Sequence, residues 1–448
     1  MKFIRKNAVS CIMLSSFLSI STYANPLKTI LQKNLSNAPE VKEALANVEA
    51  AQNRVEQSKS QHFPIVSVTG SKTLRQYHKY EDNYGSTKII PGIQAEMNIF
   101  AFGAIEKDIE RSYKEKEYYK HTYTATQEEI AYTIGQLYLT ALNMKEAISV
   151  MEKSLFRHQK ILQDLDIIME NDEGRESEFV QAETRMLMVQ QEINNYRQKL
   201  LATLNTLSKY TKTKVVEEQL SDPFLQLKEE QLYQKYTLKR KEDNPLYQAN
   251  ISDLDAKNLS VDAEKKKQLP RINLVGSATQ ENRQIGLKVE WEVFNRGNNY
   301  IAKEKASQIS ASRERLLRTA RDIEEGANLA KINIKENRVQ LGVLKKQIVS
   351  SEKVIDFYRM QFDIARRTLL DVLNAEKELS NVELSYATTQ HNLRLSILDY
   401  LYTQGMISTW GDVKKTGYTP LILQCIDKGI LLSCFSFIGR IEPPILLI

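Results

Sequence analysis

The stretch QHFPIVSVTGS at residues 61–71 recurs in similar form as KQLPRINLVGS at residues 267–277, 206 positions later. Pro39 and Pro245 are separated by the same 206 positions. Self-similarity at a constant spacing is typical of a chain that contains two copies of one structural unit. The sequence therefore predicts two tandem repeats, and the features of one copy can be compared with those of the other.

Each copy contains a segment in which apolar and polar residues alternate. In the second copy Ile285, Leu287 and Val289 alternate with Lys288 and Glu290. A period of two places the two sets on opposite faces of a β-strand. The first copy has a matching run that ends near residue 100. The predicted strands span about residues 63–75 and 88–100 in the first copy, and about 271–282 and 284–294 in the second.

Helix-breaking residues are nearly absent after each strand pair. No proline occurs in residues 92–222 or 271–419. Apolar residues recur there in steps of three and four, from Ile130 to Met169 and from Ile323 to Phe362, which is the heptad pattern of a coiled-coil seam. We therefore predict a long antiparallel helical hairpin in each copy. The predicted hairpin tips lie near residues 172–178 and 363–371.

Residues 1–24 have the three-part pattern of a secretory signal peptide. Lys2, Arg5 and Lys6 precede an apolar run, and Ala24 is a small residue before the expected cleavage point. The apolar run is shorter than the roughly 20 residues that span a bilayer as a helix. The pattern predicts export to the bacterial envelope.

These features predict five parts in the chain. They are a signal peptide at 1–24, a first structural repeat at 25–222, an inter-repeat linker at 223–244, a second repeat at 245–411 and an atypical tail at 412–448. The tail is largely apolar, but Asp427, Lys428 and Arg440 make it a poor membrane span. We assign it no function.

The composition argues against several classes of function. The 448 residues contain 62 Lys and Arg against 56 Asp and Glu, a net charge of +6. Removal of the three basic residues of the signal peptide leaves +3, too small an excess to indicate nucleic-acid binding. Three Cys and five His are too few for a disulfide scaffold or a Cys-rich metal module. The sequence lacks the phosphate-binding motifs GxxxxGK and GxGxxG and the catalytic or metal-binding motifs HExxH, GxSxG and CxxC. We therefore expect no enzyme activity, catalytic residue, cofactor or metal.

The predicted strands are about ten residues long, which suits tilted strands in a membrane. Four strands cannot close a membrane barrel, and lipid does not tolerate unpaired strand edges. The sequence therefore predicts a mainly α-helical protein with a membrane β-barrel portion, in which a homotrimer forms a 12-stranded barrel and an α-helical tunnel. The alternative is a periplasmic coiled-coil adaptor or another structural envelope protein. An adaptor would have one hairpin flanked by Gly-rich β-domains, whereas this chain has two strand pairs.

Residues 26–410 resemble the TolC-like outer-membrane efflux protein family. The most specific segments are RTLLDVLNA at residues 367–375 and the passage at residues 271–297, which contains WEVF at 291–294. The resemblance implies a trimeric duct in outer-membrane lipid, with its helical tunnel in the periplasm. It implies docking to a periplasmic adaptor and to an inner-membrane ABC or proton-driven pump. The function implied is passive exit in drug efflux or type I secretion, and the pump selects the cargo in both.

The resemblance also implies a gate at the periplasmic tip. Arg367 matches the tip arginine of the family, and Ser177 and Glu178 occupy the hydroxyl and acidic positions that it would bind. Asp371 matches one carboxylate of the tip constriction. A ring of such carboxylates would attract cations and disfavour anions.

The predicted gate departs from the family pattern at two positions. Phe362 stands where a bonding tyrosine is expected, and Asn374 stands where a second aspartate is expected. The neutral Asn374 would weaken the constriction ring. The other interpretation is that Glu178 and Asp371 are solvated charges near helix N-termini, where a negative charge is favourable.

Overall fold

The structure is a computed structural model, and it describes residues 25–72, 89–170, 175–211, 214–280 and 282–413. The predicted signal peptide and nearly all of the predicted tail lie outside the described residues. So does part of the first hairpin tip, at 171–174.

The described residues contain nine α-helices and four β-strands. The helices are α1 (Pro26–Asn34), α2 (Pro39–Lys59), α3 (Ala104–Met169), α4 (Glu176–Ser208), α5 (Glu229–Tyr236), α6 (Pro245–Lys267), α7 (Arg296–Asp363), α8 (Leu369–Thr403) and α9 (Ile407–Trp410). The strands are β1 (Ile65–Ser71), β2 (Ile90–Phe100), β3 (Arg271–Thr279) and β4 (Arg283–Glu290). Among the described helices, none is long and apolar enough to cross a lipid bilayer.

The four strands form one antiparallel sheet in the order β1-β2-β3-β4. The central β2–β3 pairing joins the two halves of the chain, with Glu96 opposite Val275. The register shifts between Asn98 and Phe100, which is a β-bulge near the end of the sheet. Within the described residues, β1 and β4 each have one unpaired edge.

Two strands differ from their predicted bounds at the base of the sheet. We expected β4 to extend to residue 294, but it ends at Glu290, opposite Arg271 at the start of β3. Pro270 precedes Arg271 and has no backbone N–H to continue the ladder. β1 begins at Ile65 instead of 63, because a 3₁₀ turn ends just before it with a hydrogen bond from Phe63 N to Ser60 O.

At the other end of the sheet, the last described pair of β1 and β2 is Ser71 with Ile90. The predicted continuation of β1 over residues 73–75 lies outside the described residues. β3 ends at Thr279 instead of 282, because the chain turns there and Thr279 N donates to Asn282 O at 2.7 Å.

The junction between strand and long helix has a different backbone conformation in each half of the chain. Phe102 and Gly103 have positive φ angles of 51° and 80° before α3 begins. In the second half the side chain of Asn295 caps α7 by accepting from Gly297 N at 2.9 Å. Gly103 and Gly297 correspond in sequence, yet only Gly103 has the left-handed conformation that favours glycine.

The long helices form the body of the molecule. α3 has 66 residues, so it is about 100 Å long. It packs against α2, α4, α6 and α8, while α7 packs against α6 and α8. The predicted seams lie at these contacts, with Ile134 and Ile334 both fully buried.

The segment predicted as a linker at 223–244 is part of the core. It contains α5, and Phe224, Leu232 and Tyr236 are buried against the helical body. Lys145 holds the preceding segment by donating to the carbonyls of Glu217 and Leu220. Sparse apolar residues with no clear period hid this packing in the sequence.

Candidate functional site

One face of the sheet is apolar and exposed. Directly opposed residues share a face, and the register groups Val66, Val68, Pro91, Ile93, Ala95, Met97, Ile272, Leu274, Ala278, Ile285, Leu287 and Val289, with Arg283 at one end. In the single protomer Val68 is 82% exposed, Ile285 78% and Leu287 69%. An apolar patch of this kind marks a surface that another apolar medium or partner covers.

The opposite face of the sheet is mostly polar. Asn98 Nδ2 donates to Asn273 Oδ1 at 2.8 Å, and Asn273 Nδ2 donates to Glu96 Oε1 at 2.7 Å. Lys288 Nζ lies 3.5 Å from Glu290 Oε2. Three large apolar side chains also lie on this face: Ile65, Ile90 and Val275. Polar groups on this face thus contact one another, Asn98, Asn273 and Glu96 across β2 and β3 and Lys288 with Glu290 along β4.

Arg367 lies at the tip of the second hairpin and contacts residues of its own hairpin. Its Nε donates to Gln361 Oε1 at 3.1 Å, and its guanidinium lies 4.2 Å from the ring centroid of Tyr358. Its Nη1 lies 3.7 Å from Asp371 Oδ1. Thus the structure brings Arg367 and Asp371 together within one protomer.

Ser177 and Glu178 lie in the first turn of α4, on the other hairpin. Within the protomer no hydrogen bond or ion pair joins either residue to Arg367. Glu178 Oε2 is buried and lies 3.6 Å from Arg175 Nη1, without a hydrogen-bond partner. The contact predicted between Arg367 and these two residues therefore stays a prediction for the assembled protein.

Asp371 has a clear local role at the N-terminus of α8. It forms a capping box with Thr368, whose hydroxyl donates to Asp371 Oδ2 at 2.8 Å and accepts from Asp371 N at 3.3 Å. The Thr368 hydroxyl and backbone N–H, in that order, lower the pKa of the Asp371 carboxyl, and Arg367 adds to the effect. Asp371 is therefore ionised at neutral pH, and this geometry agrees with the helix-start interpretation.

Phe362 contributes apolar contacts where a tyrosine was expected. It packs against a small cluster that we call the tip core. The buried residues of the tip core are Ile161, Leu165, Ala182, Leu369, Val372 and Leu373. The Arg175 guanidinium lies 5.8 Å from the centroid of the Phe362 ring, a cation–π contact that requires no hydroxyl.

Sequence reasoning missed a buried charged cluster just above the tip core. The Glu376 side chain is 0% exposed and lies between Arg157 and Arg359, with each guanidinium nitrogen 2.7 Å from a carboxylate oxygen. A signal was present, because Glu376 interrupts the buried stripe of α8 between Leu373 and Leu379. We refer to Arg157, Glu376 and Arg359 as the triad.

A second buried ion cluster lies in the helical body. Arg394 is 5% exposed and contacts Glu146 in a bidentate pair at 2.7 and 2.8 Å, while its Nε donates to Asp222 at 2.8 Å. Burial lowers the pKa of Arg394, but the bonds to Glu146 and Asp222 more than offset this, so its pKa lies above the ordinary value. This cluster ties α8 to α3 and to the segment that precedes α5.

In the part of the chain that the structure describes, no three His, Cys, Asp or Glu side chains are grouped so that they could hold a metal ion. The functional features there are surfaces and ion pairs.

Residues 30–211 match the model of the outer membrane efflux protein family. The match covers most of the first predicted repeat, and it confirms the predicted resemblance. No curated protein matches the sequence significantly.

Solved outer-membrane proteins share the fold of most of the chain. The CmeC channel of Campylobacter jejuni is 16% identical with a TM-score of 0.72, over 89% of this chain and 88% of that one. VceC of Vibrio cholerae is 13% identical with a TM-score of 0.73, over 85% and 96%. The open state of the MtrE channel of Neisseria gonorrhoeae is 15% identical with a TM-score of 0.71, over 85% and 89%. The mainly helical fold with its small antiparallel sheet is therefore that of outer-membrane efflux channels.

Proposed function

We propose that three copies of this chain form the outer-membrane exit duct of a tripartite efflux or type I secretion system. The duct conducts substrates passively from an inner-membrane ABC or proton-driven pump and a periplasmic adaptor to the outside. The barrel lies in outer-membrane lipid and the helical tunnel extends into the periplasm.

The observation that carries this proposal is the two-faced sheet. Its apolar face is exposed in the protomer, and its polar face is hydrogen-bonded across the strands. Lipid satisfies the first face and a water-filled lumen satisfies the second. Pairing β1 of one protomer with β4 of the next removes both unpaired edges, and three protomers supply twelve strands.

The family-model match and the shared channel fold support the same function. The alternative of a periplasmic adaptor has no comparable use for an exposed apolar sheet face opposite a polar one.

The proposal is tested with the full chain purified from outer membranes in detergent. We expect a particle with the protein mass of three chains that conducts ions in planar bilayers. A water-soluble monomer that leaves liposomes impermeable contradicts the proposal. Extraction without detergent by high salt favours the adaptor or structural alternative.

We also propose that Arg367 closes the periplasmic tip by binding Ser177 and Glu178 across a protomer boundary. Ser177 and Arg367 are both exposed in the protomer, so they are accessible to a neighbouring chain. Arg367→Ala should raise single-channel conductance. Arg366→Ala is the matched control, because it removes the same charge from the neighbouring exposed position. Equal conductance in both variants contradicts the gate.

Asp371 is proposed to line the constriction and to favour cations. Its depressed carboxyl pKa keeps it charged. The reversal potential in a salt gradient should shift toward lower cation selectivity in Asp371→Asn. Asp363→Asn, which neutralises another exposed tip carboxylate, should shift it less. An equal shift in the two variants would assign selectivity to general tip charge instead.

A further inference from the structure

The triad joins the two hairpins close to the tip. Arg157 belongs to α3 of the first hairpin, whereas Glu376 and Arg359 belong to α8 and α7 of the second. Arg157 Nε lies 2.7 Å from Glu376 Oε2, and Arg359 Nη2 lies 2.7 Å from Glu376 Oε1. Both carboxylate oxygens of a fully buried residue are thus contacted, one by each hairpin. The Arg359 contact is a hydrogen bond, whereas the contact of Arg157 Nε is an ion pair without hydrogen-bond geometry.

Further hydrogen bonds make this contact directional. Arg157 Nη2 donates to Glu383 Oε2 at 3.0 Å and to Ser380 Oγ at 3.1 Å. Ser380 Oγ donates to Ser154 Oγ at 2.8 Å, and both serines are buried. The α3–α8 contact at this level is therefore polar, and a sliding movement would break several bonds together.

The apolar packing near the triad is slight compared with that of the body. Among the described residues, the tip core has six buried residues, whereas the apolar core of the helical body has thirty. Local opening is cheapest where few apolar contacts are lost. Separation of the hairpins at the tip therefore loses fewer apolar contacts than separation in the helical body, and it must break the triad.

A buried ion pair has two well-defined states. When it is formed, the charges compensate one another, and when it is broken within the protein, each is left without a partner at a large free-energy cost. Apolar packing alone does not impose such a discrete geometry. Arg367, by contrast, contacts Gln361, Tyr358 and Asp371 of its own hairpin in the protomer.

We infer that Glu376 is a positioning residue of the gate, which latches the second hairpin onto the first through Arg157. The tip of the duct opens when this latch is released. The inference rests on the proposed function. It adds a second contact that holds the tip closed, besides the predicted contact between Arg367 and Glu178.

The test compares Glu376→Gln with Glu146→Gln in the full-length trimer. Both variants remove one carboxylate charge from an ion pair between α3 and α8 that involves a buried charge, but Glu146 belongs to the Arg394 cluster in the helical body. We expect Glu376→Gln to raise the ratio of open to closed channels by roughly tenfold or more. Glu146→Gln should leave that ratio unchanged.

A second readout does not depend on conduction. Spin labels at the exposed positions Lys160 of α3 and Glu378 of α8 report the distance between the hairpins. The labels are attached to cysteines in a background where Cys11, Cys425 and Cys434 are serine. We expect the distance distribution to broaden in Glu376→Gln and to stay narrow in Glu146→Gln.

The two readouts separate the possible outcomes. An unchanged distance in Glu376→Gln overturns the latch. A broadened distance with unchanged gating, in a conducting protein, overturns its role in the gate. A distance that broadens in Glu376→Gln, when the wild-type protein itself does not conduct, supports the latch and contradicts the proposed duct.

A locking variant covers the case in which Glu376→Gln fails to fold. Ser154→Cys combined with Ser380→Cys places two thiols across α3 and α8, where the wild-type hydroxyl oxygens are 2.8 Å apart. In the oxidised state this pair should cancel the rise in conductance caused by Arg367→Ala, and reduction should restore the rise. Ser380→Cys alone is the control, and a rise that persists after oxidation overturns the inference.

Discussion

The sheet and the helical body of this protein differ in where their apolar side chains lie. In the sheet Val68 and Leu287 are more than two-thirds exposed, while Asn273 is hydrogen-bonded on the other face. In the body Ile134 and Ile334 are fully buried in the core. The difference is the one that the proposed duct requires, with lipid against the apolar face of the sheet and water around the helices.

The charged residues of the sheet and of the helical body also differ in exposure. The Arg271 side chain is 49% exposed and only 3.9 Å from Glu290 on the polar sheet face. Arg394 is 5% exposed and makes three short hydrogen bonds in the body. Exposed pairs contribute little to stability, whereas a buried charge depends on its partners.

The largest predicted effect tests this contrast between the two arginines. Glu146→Ala and Asp222→Ala together leave Arg394 buried without its partners, so we expect a loss of about 3–5 kcal/mol in the free energy of unfolding. Arg271→Ala should cost less than about 1 kcal/mol. Denaturant unfolding of the purified protein measures both. Similar losses would mean that the two clusters do not differ in burial as described.

The next effect concerns the apolar sheet face. Leu287→Arg places a charge where we propose lipid, at a cost of about 2–4 kcal/mol near the bilayer midplane. The amount of the Leu287→Arg variant in the outer-membrane fraction should therefore fall. Gln284→Arg, on the polar face of the same strand, should insert normally. Equal insertion of the two variants would contradict the proposal that only the apolar face contacts lipid.

The smallest predicted effect is a loss of stability at acidic pH. Burial lowers the pKa of His158 below its ordinary value of 6.5, although its Nδ1 lies 2.9 Å from Ser154 O. The folded state therefore takes up a proton less readily than the unfolded state. The contribution of neutral His158 to the free energy of unfolding is therefore present above the ordinary pKa and is lost as the pH falls below that value.

The helical body should thus lose stability on acidification, and the four strands contain no histidine. Between about pH 7.5 and about pH 5.5 the melting temperature should fall, and it should fall less in His158→Gln. His121 and His391 have pKa values lowered by burial as well, so part of the acid effect should remain. An identical fall in the variant would exclude His158 as a contributor.

Local patterns predicted much of this fold correctly. The period of two in 285–289 identified the faces of β4, and the heptad steps from Ile130 identified the buried stripe of α3. The absence of helix breakers predicted both long hairpins. The predicted tip near 363–371 agrees with the end of α7 at Asp363 and the start of α8 at Leu369.

The candidate gate was less accessible to sequence reasoning. The resemblance selected Arg367 and Asp371, and the structure places these two in contact. It did not indicate that Asp371 caps α8, or that Glu376 is buried between two arginines. Those facts depend on which helices lie side by side, and residues 157 and 376 are far apart in the chain.

The sequence by itself determined the repeat, the strand faces and the seams, because side-chain periodicity follows from the geometry of a single strand or helix. The tertiary structure decided where each strand ends, since a ladder stops when its neighbour stops, as at Arg271 and Glu290. It also decided which charges are buried together. That pairing arises from long-range packing, in which a buried charge persists only where the fold supplies a partner.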